Sequence, residues 1–481
     1  MPRNAYIRKT KVVATIGPAC DDTEMLADMV RAGMNVARLN LSHGALEQHA
    51  ARLRRVREAA RRVDANIAAM IDTRGLEIRT GLLARESVEL GPGAPFTLYT
   101  RDRVGDERGV AVSYDRLAQE VTAGTPILLD DGAIELEVES TEAEAVHCRV
   151  VHGGVLHASK SVNLPESRLS ISVVNTRDRE DVMRELAFAA EHEVEYIAAS
   201  FIQSADELEH MRGLLRERGA QIPIIAKIEN KRGVENLESI VEAADGLMVA
   251  RGDLGVELPL ADVPGTQKRM IRVTVSKGKP VITATQMLAS MEHNPKPTRA
   301  EASDVANAIL DGTSAVMLSG ETAVGKYPVA AVRTMAALAL RAESHLREYG
   351  YLQKILPHPS NVVTEAVSQA AAGMANQLGA AAIFSLTETG FTSRLVSKHR
   401  PDCPILAVTA SPVVARRLAL NWGVVPVLFS GARSDEDKIE FAIQWAKERD
   451  IVTGGDVIVS TAGYTQRAGG TDLIRVITLG K

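Results

Sequence analysis

Residues 224–230 of the chain read IIAKIEN. It is a short apolar run rich in Ile that carries Lys227 and Glu229 two positions apart. Side chains at this spacing lie on one face of a β-strand. A cation and a carboxylate at the end of a buried strand are costly to desolvate unless a ligand, a metal or a partner charge completes them. The segment predicts a buried strand that ends in a functional site, although a salt bridge at a strand end explains the pair alone equally well.

Further segments of the same character lie on both sides of residues 224–230. They are KVVATIGP (11–18), NVARLNLS (35–42), NIAAMIDT (66–73), YIAASF (196–201), GLMVARG (246–252), PVITATQM (280–287) and AVMLSGE (315–321). Such runs are typical of strands buried on both faces of a parallel sheet, and amphipathic helical patterns at 178–192, 204–219 and 233–244 lie between them. With 224–230 they make eight β/α units, which predict an α/β fold with a closed (β/α)8 TIM barrel. The active site of such a barrel forms at the carboxyl ends of its strands.

The chain between the third and fourth predicted strands is too long for one crossover. We expect the barrel domain to comprise residues 1–74 and 171–349, and residues 75–170 to form an inserted domain. Alternating runs at 127–140 and 145–154, with a hairpin signal at Asp131-Gly132, indicate an antiparallel β barrel or sandwich. An insert over the barrel mouth could act as a lid.

A separate C-terminal α/β domain is predicted for residues 350–481, beginning with a proline-containing linker at 350–361. A helix at 362–378 precedes strands at 380–386, 404–409, 424–429, 456–461 and 473–479, which indicates an open, mostly parallel sheet. The first of these strands runs into TETGFTSR (387–394), where Thr387, Thr389, Gly390 and Thr392 precede or begin a helix. Free backbone donors and the helix dipole make this turn a candidate phosphate site. An ordinary turn capped by Thr is the alternative.

Charge and composition exclude several classes of protein. Among 481 residues, 56 Lys and Arg balance 61 Asp and Glu for a formal charge of −5, so we expect neither nucleic acid nor a membrane as partner. We expect no signal peptide, because the first residues lack an apolar core. Cys20, Cys148 and Cys403 form no metal or redox motif, which is typical of reduced thiols in a cytoplasmic protein.

Polar side chains mark the ends of the second and third strands. Arg38, Asn40 and Ser42 share one strand face, and Asp72 and Thr73 end the next strand. Arg offers a planar fork for carboxylate or phosphate. The remaining oxygen donors carry one full negative charge, which suits a monovalent cation better than a divalent one. The alternative is that these Asn, Ser and Thr side chains simply bind loop backbone.

The ends of the fifth, sixth and seventh strands predict a divalent metal. In VARGDLGVE (249–257), Gly252 and Asp253 are expected to close the sixth strand before a turn at Gly255. Asp253 can join Glu229 as a hard oxygen ligand, and two carboxylates without His or Cys favour Mg²⁺ or Mn²⁺. Gly252 allows a ligand to approach the backbone closely, and Thr285 follows at the end of the next strand. The segment GETAVGKY (320–327) has Tyr327 where a P-loop needs Ser or Thr, so we interpret it as a chance match.

From end to end, the chain resembles the pyruvate kinase family. The motifs TKVVATIGPA, ARLNLSHG, DTRGLEIRTG, AKIEN, VARGDLGVE, ITATQML and AVMLSGETA occur in the family's order and at its spacing. The resemblance implies transfer of the phosphoryl group of phosphoenolpyruvate to ADP, with Mg²⁺ and K⁺ as cofactors. It also implies a homotetramer and a phosphorylated effector that binds the C-terminal domain.

The resemblance also assigns roles to individual residues. Lys227, Arg38 and Thr285 are expected to be catalytic, and these three together with Gly252 and Asp253 to bind substrate. The expected Mg²⁺ ligands are Glu229 and Asp253, and the expected K⁺ ligands are Asn40, Ser42, Asp72 and Thr73. Asn40, His43, Arg79 and Lys160 are the expected nucleotide contacts, and Thr387, Thr389, Gly390 and Thr392 the expected effector contacts.

Several positions depart from the family pattern. Arg74 and Leu76 replace a usual Lys and Pro, which predicts a less stiff hinge into the inserted domain. Glu77 stands where some members carry a Lys in place of the monovalent ion, so we expect K⁺ dependence. Glu388 and Phe391 make the effector loop less basic, which favours a sugar monophosphate or a nucleotide over a bisphosphate as activator.

Two other functions are compatible with such a barrel. One is a Mg²⁺-dependent lyase or aldolase of phosphoenolpyruvate or pyruvate, which the inserted domain and the nucleotide motifs disfavour. The other is a non-catalytic effector-binding homologue, which would be expected to lack Lys227 or a metal ligand. All of these residues are present.

Overall fold

A computed structural model of the chain describes residues 7–75, 77–165, 179–350, 362–431, 434–463 and 470–480. Leu76, in the predicted hinge, lies outside the described residues, as does the predicted linker beyond residue 350.

Eight parallel strands close into a barrel, and they follow one another around it in chain order. With strands numbered along the whole chain, they are β1 (Lys11–Thr15), β2 (Val36–Asn40), β3 (Ala68–Asp72), β12 (Tyr196–Ala199), β13 (Ile224–Ile228), β14 (Gly246–Ala250), β15 (Val281–Ala284) and β16 (Ala315–Leu318). β16 pairs with β1 to complete the ring. Every residue of these strands is buried except Asn40, which is half-buried. The predicted TIM barrel is confirmed, because runs that are apolar on both faces fit only where both faces are covered.

Helices follow the barrel strands along the chain, and the longer ones cover the outer face of the barrel. They are α1 (Thr23–Ala32), α2 (Leu46–Arg62), α4 (Arg179–Glu191), α5 (Ala205–Glu217), α6 (Lys231–Glu235), α7 (Leu237–Ala243), α8 (Arg251–Glu257), α9 (Val263–Ser276), α10 (Arg299–Leu310), α11 (Gly320–Ala323), α12 (Pro328–Glu343) and α13 (Leu346–Tyr349). Two short 3₁₀ helices lie at Leu260–Asp262 and Ala289–Glu292. Local signals fix several helix starts: Asp22 accepts from the backbone of Glu24 and Met25 at the start of α1, and Thr298 and Glu301 form a capping box on α10.

Between β3 and β12 the chain forms sheets of its own. The elements are β4 (Ser87–Leu90), β5 (Pro95–Tyr99), β6 (Gly109–Ala111), α3 (Leu117–Glu120), β7 (Pro126–Leu129), β8 (Ile134–Glu142), β9 (Ala145–His152), β10 (Gly154–His157) and β11 (Val162–Asn163). The strand orders are β11-β7-β8-β9-β5-β6 and β10-β4, and both sheets contribute to one apolar core. Asp130 and Asp131 adopt positive φ angles of 52° and 54° in the β7–β8 turn, which confirms the predicted hairpin.

This β7–β8 hairpin reaches the mouth of the barrel. A Cβ built on Gly132, at its tip, would lie 3.8 Å from Cγ1 of Val256 on α8. Glu257, which is also on α8, accepts a hydrogen bond of 3.1 Å at Oε1 from Asn163 Nδ2. The inserted strands therefore stand over the carboxyl ends of the barrel strands, where the predicted site residues lie.

The C-terminal residues form an open five-stranded sheet. Its strands are β17 (Ala382–Leu386), β18 (Ile405–Thr409), β19 (Val424–Leu428), β20 (Val457–Ala462) and β21 (Leu473–Thr478), in the order β19-β18-β17-β20-β21. Its helices are α14 (Val362–Leu378), α15 (Phe391–Lys398), α16 (Pro412–Leu418) and α17 (Asp435–Glu448). Only β21 runs antiparallel to its neighbour, so the predicted mostly parallel α/β domain is confirmed.

This sheet docks on the amino ends of the barrel strands. Ala419 and Leu420, just after α16, belong to the apolar cluster that fills the inside of the barrel. Tyr196, the first residue of β12, donates its hydroxyl hydrogen to the carbonyl of Arg417 over 2.7 Å. One end of the barrel is thereby closed, and chemistry is confined to the other.

Within the described part of the chain, no helix has both the length and the apolar character needed to cross a membrane.

Candidate active site

Lys227 is the centre of the polar cluster at the carboxyl ends of the strands. It lies on β13, and only 8% of the residue is exposed. Its Nζ lies 2.9 Å from Asp72 Oδ1, 2.9 Å from Glu229 Oε1 and 2.6 Å from Ser200 Oγ. An ammonium group has three donors, so each can be directed at one of these acceptors. The two charges that the sequence placed on one strand face are in direct contact.

The end of β12 supplies two contacts to this cluster. Ser200 Oγ donates to the carbonyl of Thr73 over 2.7 Å and lies 3.1 Å from Asp72 Oδ1. The backbone N–H of Phe201 donates to Glu229 Oε2 over 2.5 Å. Both oxygens of the Glu229 carboxylate are therefore fixed, one by Lys227 and one by backbone.

Arg38 joins the cluster from β2. Its Nε donates to Asp72 Oδ2 over 2.6 Å, and its Nη1 donates to Thr15 Oγ1 over 2.9 Å. Asp72, which is fully buried, thus lies between two cations. This pairing compensates its desolvation and orients both Arg38 and Lys227 toward the mouth.

The charges of the cluster set its protonation state. Burial alone would raise the pKa of Asp72, but Arg38 and Lys227 more than offset it, so the pKa lies below its ordinary value. Burial opposes the charge on Lys227, yet Asp72 and Glu229 prevail and raise the pKa of its ammonium. Lys227 is therefore a fixed cation and not a general base.

Glu229 and Asp253 carry negative charge that the protein compensates incompletely. Burial raises the pKa of Glu229 to about 7 against the opposing effect of Lys227, and repulsion from Asp253 adds to the rise. Burial also raises the pKa of Asp253. Two adjacent carboxylates with raised pKa values fit a divalent cation, which would supply the missing positive charge. Among the described residues no set of three or more His, Cys, Asp or Glu side chains could hold a metal, so water and substrate oxygens would complete the shell.

Asp253 reaches the site from a helix. The sequence predicts a turn at Gly255, but the strand ends at Ala250 and Arg251–Glu257 form α8. The turn prediction is wrong because the helix continues past Gly255 to Glu257, and the N–H of Leu258 donates to the carbonyl of Leu254. Asp253 consequently stands in the first turn of α8, where the helix dipole favours a carboxylate.

Thr285 lies just beyond the end of β15 in strained backbone. Thr285 and Gln286 have φ angles of 66° and 52°, which non-glycine residues rarely adopt. Thr285 Oγ1 accepts from Gly252 N over 2.8 Å and donates to Ala284 O over 2.6 Å. Arg251 holds this turn through an Nη2 hydrogen bond of 2.7 Å to Thr285 O and a salt bridge to Asp304. The hydroxyl of Thr285 is therefore held beside the backbone of Gly252.

Comparison with known proteins agrees with this geometry. The family model described as pyruvate kinase, barrel domain, matches residues 7–332, and the one described as pyruvate kinase, alpha/beta domain, matches residues 365–477. The pyruvate kinase of Bacillus licheniformis is 45% identical over 477 residues, covering 98% of this chain and 81% of the relative. Those of Geobacillus stearothermophilus and Staphylococcus aureus are 45% and 44% identical over 98% of this chain, covering 80% and 81% of the relatives.

The chain belongs to the pyruvate kinase family. Members of this family are phosphotransferases, and the enzyme class predicted from the motifs is confirmed.

The expected K⁺ ligands lie at the ends of β2 and β3. Asn40 Oδ1 accepts from Ser42 N over 3.2 Å, and Ser42 is exposed. Thr73 Oγ1 accepts from Ser200 N over 3.1 Å, and Asp72 is bound to Arg38 and Lys227. Asp72 and Thr73 are thus linked to the Lys227 cluster, and Asn40 lies opposite Asp72 in the register of β2 and β3.

The expected nucleotide contacts divide between barrel and insert. His43 is exposed, and its carbonyl lies 2.8 Å from His49 Nε2. Arg79 Nη2 donates to Glu77 Oε2 over 2.6 Å, and Lys160 Nζ lies 2.8 Å from Asp130 Oδ1. Thr80, next to Arg79, donates its N–H to the carbonyl of Lys160, so the two cations stand on adjacent backbone segments of the insert.

The expected effector contacts lie around the start of α15. Thr389 is exposed, and Thr387 Oγ1 accepts from Gly390 N over 2.8 Å. Thr392 is buried, and its hydroxyl is hydrogen-bonded to that of Thr471. Thr389 is therefore more accessible to a ligand than Thr392.

Sequence reasoning missed the residues that orient the cluster. They are Thr15, Ser200, Phe201, Arg251 and Asp304. Ser200 and Phe201 end the predicted strand YIAASF, and a serine at the carboxyl end of a barrel strand was a usable signal. The role of Phe201 uses only its backbone N–H, which no side-chain pattern reveals.

Proposed function

We propose that this chain transfers the phosphoryl group of phosphoenolpyruvate to ADP, giving pyruvate and ATP, with Lys227 as the central catalytic group. The observation that carries the proposal is the Lys227 ammonium, buried in contact with the carboxylates of Asp72 and Glu229 at the carboxyl ends of the barrel strands. Phosphoryl transfer requires positioning and cations where negative charge develops, and this arrangement supplies both.

In the reaction, the bond between phosphorus and the enolate oxygen breaks while a bond to a terminal β-phosphate oxygen of ADP forms. Lys227 stabilises charge on the migrating phosphoryl group and on the enolate oxygen, and its fixed position means that no reorganisation is needed at that moment. Arg38, held by Asp72 and Thr15, provides a second cation for the phosphate of the substrate.

Glu229 and Asp253 would hold Mg²⁺ or Mn²⁺, which when bound neutralises charge on phosphate oxygens. Gly252 presents its backbone beside Asp253, so a substrate oxygen can approach closely. Asn40, Ser42, Asp72 and Thr73 would hold K⁺. His43, Asn40, Arg79 and Lys160 would contact the nucleotide, with the last two brought over the mouth by the inserted domain acting as a lid.

After transfer, the enolate accepts a proton at its terminal carbon to give pyruvate. We assign the relay of this proton to Thr285, because its hydroxyl lies beside the backbone of Gly252 at the mouth of the barrel. An aliphatic hydroxyl is a weak acid, so water shares this step with Thr285.

The remaining proposals concern regulation and assembly. A phosphorylated effector, a sugar monophosphate or a nucleotide, would bind at the start of α15 through Thr387, Thr389, Gly390 and Thr392. The chain would assemble as a homotetramer and work in the cytoplasm. The domain bounds 1–74, 75–170, 171–349 and 350–481 are proposed as the units of this organisation.

A coupled assay that follows pyruvate through lactate dehydrogenase tests the proposal. With phosphoenolpyruvate, ADP, Mg²⁺ and K⁺ we expect turnover, and none without ADP. Lys227→Met should lower kcat by about 10²-fold or more, while Mn²⁺ titrated by electron paramagnetic resonance still binds. Lys231→Met is the matched control, because Lys231 is an exposed lysine on the adjacent helix α6. Pyruvate formation that does not need ADP, or full activity of Lys227→Met, would exclude the proposed reaction.

A further inference from the structure

We propose that Ser200 and Phe201 form a positioning element for the catalytic ammonium and the metal-binding carboxylate, and that Gly75 holds this element in place from the hinge of the inserted domain. The inference deepens the proposed function and rests on it. Neither Ser200 nor Phe201 needs to touch substrate, because each acts through a charged neighbour.

Ser200 fixes the direction of the Lys227 side chain. Lys227 has a flexible stem, and Asp72 and Glu229 alone leave one of its three donors undirected. Ser200 Oγ accepts at 2.6 Å from Nζ while its own hydrogen is directed at the carbonyl of Thr73 over 2.7 Å. Since that carbonyl belongs to backbone, the hydroxyl ties the ammonium to the barrel and not merely to other side chains.

Phe201 performs the same task for Glu229 through its backbone. Its N–H donates to Glu229 Oε2 over 2.5 Å, and its φ angle is 57°. Such a conformation is unfavourable for a bulky residue and persists only where the surroundings enforce it. The strained backbone directs the N–H at the carboxylate.

Gly75 lies closely against both Ser200 and Phe201. It has a φ angle of 71°, and a Cβ added to it would lie 2.6 Å from Ser200 Cβ and 2.7 Å from Phe201 Cδ2. The residue before it is also anchored, since Arg74 Nε donates to Leu41 O over 2.8 Å. The chain that leaves the barrel for the insert therefore lies directly on the positioning element, so a displacement of this hinge reaches Lys227 and Glu229 in two contacts.

Steady-state kinetics of Ser200 variants test the positioning role. We expect Ser200→Ala to lower kcat by about tenfold or more while KM for phosphoenolpyruvate changes less, because misplacement of a fixed charge acts on the transition state. Ser200→Thr, which keeps the hydroxyl, should recover much of the loss. Ser314→Ala is the matched control: Ser314 is a buried serine at the amino ends of the strands, and its Oγ accepts a hydrogen bond of 3.4 Å from Arg400 Nη2 of the C-terminal domain. A kcat of Ser200→Ala equal to or above that of the unmodified chain would overturn the proposal, because the Ser200 hydroxyl would then not help to position the Lys227 ammonium.

Gly75→Ala tests the contact with the hinge. We expect kcat to fall in the same direction as for Ser200→Ala, whereas Gly213→Ala, on α5 with no atom within 4 Å of the added Cβ, should match the unmodified chain. Equal activities of the two glycine variants would remove Gly75 from the proposal.

Crystal structures give a readout that does not depend on turnover. In Ser200→Ala and in Gly75→Ala we expect Lys227 Nζ or the Glu229 carboxylate to move by about 0.5 Å or more, the tolerance of a catalytic constellation, and to stay in place in the two control variants. Unmoved groups would overturn the positioning role even if the chain catalysed another reaction. An unmodified chain without turnover would instead refute the proposed function, so the two failures are distinguishable.

Discussion

Lys227 Nζ lies 2.9 Å from Oε1 of Glu229, the residue two positions further along the same chain segment. One of the two groups is the proposed catalytic cation, and the other is a proposed metal ligand. Because both leave the end of one strand, their separation is set by backbone geometry and not by a flexible loop. A phosphoryl group placed between a fixed ammonium and a divalent ion would be polarised from two sides, which is the requirement of phosphoryl transfer.

Asp253→Asn should weaken divalent-metal binding by about 10²-fold, because it removes one of two charged ligands and leaves Lys227 paired with Glu229 and Asp72. Mn²⁺ titration followed by electron paramagnetic resonance measures this without substrate. Asp262→Asn, at an exposed aspartate shortly after α8, is the matched control. If Asp253→Asn binds Mn²⁺ as tightly as the control does, Asp253 is not a ligand.

Turnover should depend on K⁺. Replacing K⁺ by tetramethylammonium should lower kcat by at least about tenfold, or 1.4 kcal/mol in the barrier. Glu77→Lys should relax this dependence, because the new ammonium would stand near the site. Burial raises the pKa of Glu77, and repulsion from Glu229 adds to the rise, so residue 77 lies close enough to the site for its charge to act there. Glu86→Lys, at an exposed position before β4, should remain K⁺-dependent. Equal rates of the unmodified chain with and without K⁺ would contradict the assignment of Asn40, Ser42, Asp72 and Thr73.

The stability of the barrel should contain a contribution from Glu185 that changes with pH. Burial raises the pKa of this carboxyl from 4.5 to about 7, with the hydrogen bond from Arg74 N opposing the rise. The folded chain therefore binds the proton more tightly than the unfolded chain. The resulting stability is fully present below pH 4.5 and is lost as the pH rises through 7, by an amount on the order of 3 kcal/mol.

Glu185→Gln should remove this pH dependence. Urea denaturation of the unmodified chain and of Glu185→Gln at pH 5 and pH 8 measures it, with the variant gaining relative stability at pH 8. Glu191→Gln, at an exposed glutamate on the same helix, should show no such gain. A difference between the unmodified chain and Glu185→Gln that is the same at both pH values would show that Glu185 is ionised throughout.

Activation should occur with a sugar monophosphate or a nucleotide, and Thr389→Ala should weaken it. The exposed Thr389 hydroxyl precedes the start of α15, and loss of one hydrogen bond to a charged phosphate costs about tenfold in apparent affinity. The activator concentration at half-maximal rate is the measured quantity, and Thr122→Ala, at an exposed threonine in the inserted domain, is the control. Exclusive activation by fructose 1,6-bisphosphate would contradict our interpretation of Glu388 and Phe391.

Some of the site could be predicted from single segments. Lys227 lies on β13 and Glu229 directly follows its end, and their contact follows from a spacing of two residues. The pairing of Asp72 with both Arg38 and Lys227 could not be predicted in this way, since it joins three strands whose relative positions depend on barrel closure. The helical position of Asp253 was also missed, because Gly252 and Gly255 disfavour a helix locally and tertiary structure overrides that preference.

The order of the amino acids was enough to predict the alternation of buried strands and amphipathic helices, the inserted β strands, the open C-terminal sheet and the candidate charged residues. These features are local, because side-chain periodicity reports which faces of an element are covered. The folded chain was needed to show that Ser200 and Phe201 contact Lys227 and Glu229, that Gly75 lies against them, and that Ala419 and Leu420 close the opposite end of the barrel. Those contacts join residues distant in the chain through backbone atoms and close packing, and neither leaves a pattern in the order of the amino acids.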